Sequence, residues 1–186
     1  MSTQEVGSFA AMDAALSRNR AFAAAGGHEG AVVLPNLQLF VITCLDPRTD
    51  PAHFLGLDLS DAIVVRNVGG RVTPAVIEDV AFIGQIAEAV LPAGPLFEVA
   101  VIHHTQCGAG ALADDTFRHA YARRIEADEA GLRERAVLDP AATVASDAER
   151  LRSAAAIPAR MRVSGHVYDV TTGLVETIVP VAQLAA

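Results

Sequence analysis

The chain has 186 residues, 52% of them from the hydrophobic set, which suffices for one compact domain with a sizeable core. Its 14 basic and 22 acidic side chains give a net charge of −8, which argues against nucleic acid and an anionic membrane surface as partners. We therefore expect a small-molecule substrate.

The N-terminal residues and the two cysteines indicate the compartment in which the protein functions. The first ten residues are polar and lack a secretion signal, and no apolar run approaches the roughly 18 residues of a membrane span, so we expect a cytoplasmic protein. In that compartment the two cysteines indicate metal binding or catalysis rather than a disulfide. A mean hydropathy of +0.33 favours a homodimer or a higher homo-oligomer.

The predicted elements alternate along the chain. A helix is predicted over residues 12–25, ended by two glycines. It is followed by three short apolar runs that are typical of buried parallel strands, at residues 39–43, 62–66 and 99–103. Thr73 before Pro74 predicts the start of a helix that extends to about Val90. Further helices are predicted over residues 108–129 and 146–156, and a strand with an antiparallel hairpin partner over residues 162–170 and 174–179.

This order predicts an α/β fold. Its central sheet is mostly parallel, with four parallel strands plus an antiparallel edge strand, and is flanked by helices. We expect a single domain over residues 1–186, in which residues 1–30 form an N-terminal helical arm. Ligands of such sheets bind at the carboxyl ends of the strands.

Two short motifs occupy those strand ends. Cys44-Leu45-Asp46-Pro47-Arg48 follows the first strand, and His104-Thr105-Gln106-Cys107 follows the third. Two thiolates and one imidazole are preferred ligands of zinc, and three protein ligands leave one position for water, as catalytic sites do. His103 competes with His104 for the third ligand position, but as the last strand residue it is expected to face the opposite side of the sheet.

The motifs CLDPR (residues 44–48) and HTQCG (104–108), with VRNVGG (65–70) between them, resemble those of the β-carbonic anhydrases, in particular short bacterial members. The resemblance implies that Cys44, His104 and Cys107 bind Zn²⁺ and that Asp46 and Arg48 form a catalytic dyad. It also implies reversible hydration of carbon dioxide to bicarbonate and a proton by zinc-bound hydroxide. The expected pocket wall is apolar and includes part of the 66–70 segment of this chain or of a neighbouring subunit, with Arg66, Asn67, Gly69 and Gly70 as the candidate residues.

The dyad also follows from elementary chemistry. An aspartate two residues from a zinc thiolate could itself close the fourth metal position. Arg48 can hold the Asp46 carboxylate off the metal through a bidentate fork, which leaves it to accept a hydrogen bond from the nucleophile. Two thiolates cancel the formal charge of the ion, so we expect an alkaline-leaning pH profile.

Alternatives stay open at this point. The same zinc site could hydrolyse carbonyl sulfide or carbon disulfide, because the motifs do not separate these linear substrates from carbon dioxide. The protein could also be a non-catalytic zinc or redox sensor, in which the two cysteines release metal and oxidise. For Asp46 and Arg48 the alternative is a surface ion pair of little energetic value, and for Arg66 and Asn67 it is a structural role in their loop.

Overall fold

The computed structural model describes residues 11–184 of the chain, which form two compact units divided after Val33. Within the N-terminal unit, helix α1 extends over Ala11–Ala24 and ends before Gly26, whose φ is 72°. This confirms the helix predicted over residues 12–25. Residues 1–10 of the expected N-terminal arm lie outside the described part. Among residues 11–184, no helix combines the length and apolarity that a membrane crossing requires.

Residues 34–184 fold around a five-stranded sheet in the order β2-β1-β3-β4-β5. Its strands are β1 Leu39–Cys44, β2 Ala62–Asn67, β3 Glu98–His104, β4 Arg162–Tyr168 and β5 Val175–Gln183. The first four are parallel to one another, and β5 pairs antiparallel with β4 at one edge. The predicted fold class is therefore confirmed.

Five helices connect the strands within the same residues: α2 Pro51–Phe54, α3 Pro74–Val90, α4 Asp115–Ile125, α5 Glu129–Glu134 and α6 Pro140–Arg152. Helix α3 begins as predicted, since the Thr73 hydroxyl accepts a hydrogen bond from the Val76 N–H and Pro74 occupies the first helical position.

Two helix predictions were wrong. The segment 108–129 is not one helix but a 3-10 segment Gly108–Ala113 followed by α4, because the Asp114 carboxylate accepts a hydrogen bond from Phe117 N and starts a new helix there. Glu126 then adopts a φ of 53° and ends α4. The last helix extends over residues 140–152 rather than 146–156, because Asp139 caps it and Pro140 fills its first position.

The two faces of the sheet carry separate apolar clusters. Alternation along β1 sends Phe40 and Ile42 to one face and Val41 to the other. The first cluster contains buried side chains of α3 and α6, namely Val76, Val80, Ala87, Val144, Ala148 and Leu151. These helices therefore pack on one face of the sheet and support the strands whose carboxyl ends carry the motifs.

Strand register brings the motif residues to the same edge of the sheet. Cys44 at the end of β1 lies opposite Asn67 at the end of β2, and β3 on the other side of β1 ends at His104. Parallel pairing of these three neighbouring strands therefore places the Cys44–Arg48 motif and the His104–Cys107 motif at the carboxyl edge, where α/β sheets bind ligands.

Candidate metal centre

Cys44, His104 and Cys107 converge at this edge. Their potential ligand atoms all lie within 4.8 Å of one another, and the two sulfur atoms are 4.0 Å apart. Both cysteines are free. In a tetrahedral zinc site with Zn–S bonds of about 2.3 Å, two sulfurs lie roughly 3.8 Å apart. The observed spacing therefore fits an ion held between the two sulfurs better than a disulfide, whose sulfurs would be about 2 Å apart.

The ring of His104 has one nitrogen that is free to bind a metal. Its Nδ1 lies 2.9 Å from the backbone carbonyl of Thr105, so Nδ1 carries the ring hydrogen and donates it. The Nε2 atom, which then holds the free lone pair, is buried and has no hydrogen-bond partner among residues 11–184. A buried nitrogen left without a partner is costly unless something else binds it, and a carbonyl on the second nitrogen is the usual support of a metal-bound histidine.

The neighbouring His103 is engaged differently. Its Nδ1 lies 2.8 Å from the Thr143 hydroxyl, and its Nε2 lies 3.2 Å from the Gly70 carbonyl, so both ring nitrogens have protein partners. Consecutive strand residues face opposite sides of a sheet. Of the two histidines, His104 therefore has the nitrogen that is free for a ligand role.

The two thiols titrate as a pair. A hydrogen bond from Cys107 lowers the pKa of Cys44 to about 4 against the opposing effect of burial, with smaller contributions from His104 and the backbone N–H groups of Asp46 and Gly69. Conversely, Cys44 and then burial raise the pKa of Cys107 far above its usual range. Two thiolates at this distance therefore require a cation beside them, which a divalent metal supplies.

Asp46 and Arg48 form a bidentate pair beside the cysteines. Oδ1 of Asp46 accepts hydrogen bonds from the backbone N–H and the Nε of Arg48 at 2.9 and 3.0 Å, and Oδ2 accepts one from Nη2 at 2.7 Å. These hydrogen bonds lower the pKa of Asp46 to about 2. Nη2 also donates to the Gln106 carbonyl at 3.1 Å and so connects the two motifs. Both carboxylate oxygens are thus directed to the guanidinium.

Arg66 and Asn67, which were expected in the pocket wall, support the backbone of the site. The Arg66 guanidinium donates to the carbonyls of Cys44 at 3.0 Å and Asp46 at 2.7 Å, and it contacts the Asp50 carboxylate at 3.3 Å. The Asn67 side chain exchanges hydrogen bonds with the backbone of Arg71. The Asn67 contacts close the turn that contains Gly69 and Gly70, and the Arg66 contacts hold the loop that follows β1.

A cavity of about 380 Å³ opens beside Cys44 and Asp46, and its walls are largely apolar. Of the four residues expected in the pocket, Gly69 lines it. The other lining residues beyond the first motif are Val68, Gly108, Ala109, Leu112, Phe117 and Tyr121. Sequence reasoning missed the α4 aromatics, whose rings stack with centroids 6.0 Å apart. Their four-residue spacing in a predicted helix was the available signal. A larger cavity of about 690 Å³ near Arg152 and Pro158 contains none of the motif residues.

A substitution at Gly70 tests whether the turn packs against the backbone of Cys44. Its φ is 66°, and a Cβ there would lie 2.9 Å from the backbone nitrogen of Cys44. We expect Gly70→Ala to lower the free energy of unfolding by at least about 1–2 kcal/mol, since an L-residue is strained at positive φ and the clash is with backbone. Urea denaturation monitored by circular dichroism measures this.

The matched control is Gly108→Ala on the other side of the cavity. A Cβ at Gly108 meets nothing within 4 Å, and its φ is not positive. We expect its free energy of unfolding to stay within about 0.5 kcal/mol of the wild type. Equal stability of the two variants would show that the Gly70 turn is not packed against Cys44.

The fold and this cluster together define a candidate α/β metalloenzyme. A family model described as carbonic anhydrase matches residues 39–175, which is most of the chain. The chain therefore belongs to the carbonic anhydrase family, and its relatives place it among the β-class enzymes, which are lyases. The family resemblance drawn from the motifs is confirmed.

Several known proteins are similar to the chain. Beta-carbonic anhydrase 1 of Mycobacterium tuberculosis (strain ATCC 25618 / H37Rv) is 29% identical over 161 residues, covering 84% of this chain and 91% of the relative. The carbon disulfide hydrolase of Acidianus sp. (strain A1-3) is 26% identical over 160 residues, covering 74% and 75%. The crystal structure of carbonic anhydrase from Streptococcus mutans superposes with a TM-score of 0.74 at 32% identity, covering 90% of this chain and 96% of that one.

Proposed function

We propose that this protein catalyses the zinc-dependent, reversible hydration of carbon dioxide to bicarbonate and a proton. Cys44, His104 and Cys107 are the proposed zinc ligands. The observation that carries the proposal is the buried, unpartnered Nε2 of His104 beside two free sulfurs 4.0 Å apart. This donor set suits zinc, and three protein ligands leave a fourth position open for chemistry.

A zinc ion held by Cys44, His104 and Cys107 would act as a Lewis acid and make water a nucleophile near neutral pH. The chain's own groups orient the reaction. Arg48 binds both oxygens of Asp46 and so would keep this carboxylate from binding the zinc as a fourth ligand. The ionised Asp46 then accepts a hydrogen bond from the attacking water, which directs the lone pair of that water at the carbon of the substrate.

The cavity supports a small uncharged substrate. Side chains such as Val68, Leu112 and Phe117 offer carbon dioxide an apolar surface, while the product bicarbonate is charged and poorly solvated there. The apolar walls therefore favour neutral carbon dioxide over the bicarbonate anion. Because bicarbonate is better solvated in bulk water than in the cavity, its release is favoured.

We also infer that the protein functions as a homodimer or higher homo-oligomer. The 34–184 unit exposes several large apolar side chains, among them Phe82 at 66%, Leu138 at 74% and Leu174 at 71%. Exposed apolar surface beyond what a monomer needs favours association.

Hydrolysis of carbonyl sulfide or carbon disulfide at the same site is the second candidate. The apolar cavity and the similarity to the carbon disulfide hydrolase of Acidianus favour it. Like carbon dioxide, both substrates are linear and uncharged, so the three proposed zinc ligands do not discriminate among carbon dioxide, carbonyl sulfide and carbon disulfide. A non-catalytic zinc or redox sensor is the third hypothesis, and it predicts zinc without turnover or a disulfide without zinc.

Metal analysis coupled to stopped-flow assays tests the proposal. We expect about one zinc per chain and rapid hydration of carbon dioxide that rises from about pH 7 to about pH 9. Carbonyl sulfide and carbon disulfide are assayed side by side with the same preparation. Stoichiometric zinc with no hydration at any pH in that interval would overturn the proposal, and faster turnover of a sulfur substrate would select the second candidate.

A further inference from the structure

The Gly69–Gly70 turn supports the Cys44 thiolate directly. The backbone of Gly69 is among the groups that lower the pKa of the Cys44 thiol. Gly70 lies so close to the end of β1 that a Cβ would come within 2.9 Å of the Cys44 nitrogen. Hydrogen bonds to a metal-bound thiolate tune its electron donation, so the position of this turn bears on the metal itself.

Besides Asn67, two further side chains hold the turn, and both of them contact Asp147. On one side, the His103 ring contacts the Gly70 carbonyl at 3.2 Å and the Asp147 carboxylate at 3.3 Å through the same Nε2. Because both partners are acceptors, Nε2 carries the ring hydrogen and shares it between them. On the other side, Arg71 follows the turn directly, and its Nε and Nη2 donate to Asp147 at 2.6 and 3.1 Å.

Asp147 is fully buried on α6, and it also accepts a hydrogen bond from the backbone N–H of Val72 at 3.2 Å. Burial opposes ionisation of its carboxyl, but hydrogen bonds with His103 and Arg71 hold the pKa of that carboxyl below the usual range. A buried ion pair is a weak source of stability, since apolar side chains of similar volume serve as well. What these contacts do achieve is to fix residues 70–72 in one position.

We propose that Asp147 is a positioning residue of the metal centre, which holds the Gly69–Gly70 turn against Cys44 through Arg71 and His103. Its carboxylate contacts Arg71 and His103 at once, so the turn stays packed against the backbone of Cys44. This inference rests on the proposed metal site and goes beyond the ligands and the Asp46–Arg48 pair.

The test compares full-length wild type with Asp147→Asn. Asparagine keeps the volume, but its amide NH₂ replaces one acceptor oxygen and faces a donor of Arg71 or Val72. We expect zinc affinity, measured by chelator competition, to weaken about 10- to 100-fold. We also expect the thiolate-to-metal absorption of the cobalt-substituted protein to shift, because the turn packed against Cys44 would no longer be held in one position.

The matched control is Leu151→Ala on the same helix. Leu151 is fully buried and apolar, so the variant loosens α6 without removing a hydrogen bond from the turn. It is expected to unfold at a lower temperature yet retain wild-type zinc affinity and cobalt spectrum. If Asp147→Asn does not fold, Arg71→Lys replaces it, since lysine keeps the charge but not the two-pronged contact.

Wild-type zinc affinity and an unshifted cobalt spectrum in folded Asp147→Asn, or in Arg71→Lys where it substitutes, would overturn the inference. Equal changes in Leu151→Ala would do so as well. Neither readout requires turnover. Failure of the proposed function would appear as absent hydration in the zinc-loaded wild type, so the two failures are distinguishable.

Discussion

Replacing His104 by glutamine is expected to remove bound zinc and reduce carbon dioxide hydration to the rate of buffer alone. The Nε2 of His104 is buried without a partner among the described residues, and within residues 11–184 no other cluster of three or more His, Cys, Asp or Glu side chains has its ligand atoms this close together. Removing a supporting partner of a metal ligand costs about 10- to 100-fold in affinity, so loss of the ligand itself should cost more than about 100-fold. Metal analysis after dialysis against a chelator measures this.

His166→Gln is the matched control for that experiment. His166 lies on the neighbouring strand β4, half-buried, with its ring nitrogens 3.1 Å from Thr177 and 2.9 Å from Ser164. Its removal disturbs the sheet but takes nothing from the cluster, so zinc content should stay at the wild-type level. Zinc retained in His104→Gln and lost in His166→Gln would assign the metal to a different place.

The ligand motifs were visible in the sequence because each is local and each follows a strand. The apolar runs before Cys44 and His104 are short and uninterrupted, as buried parallel strands require, and Pro47 prevents β1 from continuing beyond the motif. Parallel pairing then brings both strand ends to one edge. The fold class and this meeting of the two motifs could therefore be predicted without tertiary information.

The residues that hold the site in place from distant parts of the chain could not be predicted in the same way. Asp147 contacts Arg71 across 76 positions, and nothing in its own segment distinguishes it from an exposed helical aspartate. Which acidic side chain is buried depends on how α6 packs on the sheet. Likewise, Asp114 and Asp139 begin new helices through hydrogen bonds to backbone N–H groups. The Asp139-Pro140 pair was a readable start signal that the predicted boundary overlooked.

Replacing Asp46 by asparagine is expected to lower kcat/KM for carbon dioxide by about 10²- to 10⁴-fold, the range for loss of a positioned proton acceptor, with zinc content unchanged. The amide would turn its NH₂ toward a donor of Arg48, which breaks the two-pronged contact seen at 3.0 and 2.7 Å. The side chain then neither accepts from the attacking water as a carboxylate nor stays fixed beside the metal. Stopped-flow hydration with a pH indicator, alongside metal analysis, measures both quantities.

Asp50→Asn is the control, four residues along the same loop. Asp50 pairs with Arg66 at 3.3 Å and its side chain is 41% exposed, so its loss should change kcat/KM less than about five-fold. The pH dependence adds a second check. Because the pKa of Asp46 is lowered to about 2 by Arg48, the carboxylate is ionised throughout any assay near neutrality. The defect of Asp46→Asn should therefore be the same at pH 7 and pH 9. A defect confined to one end of that interval would mean that another titrating group, and not the Asp46 carboxylate, accepts the hydrogen bond.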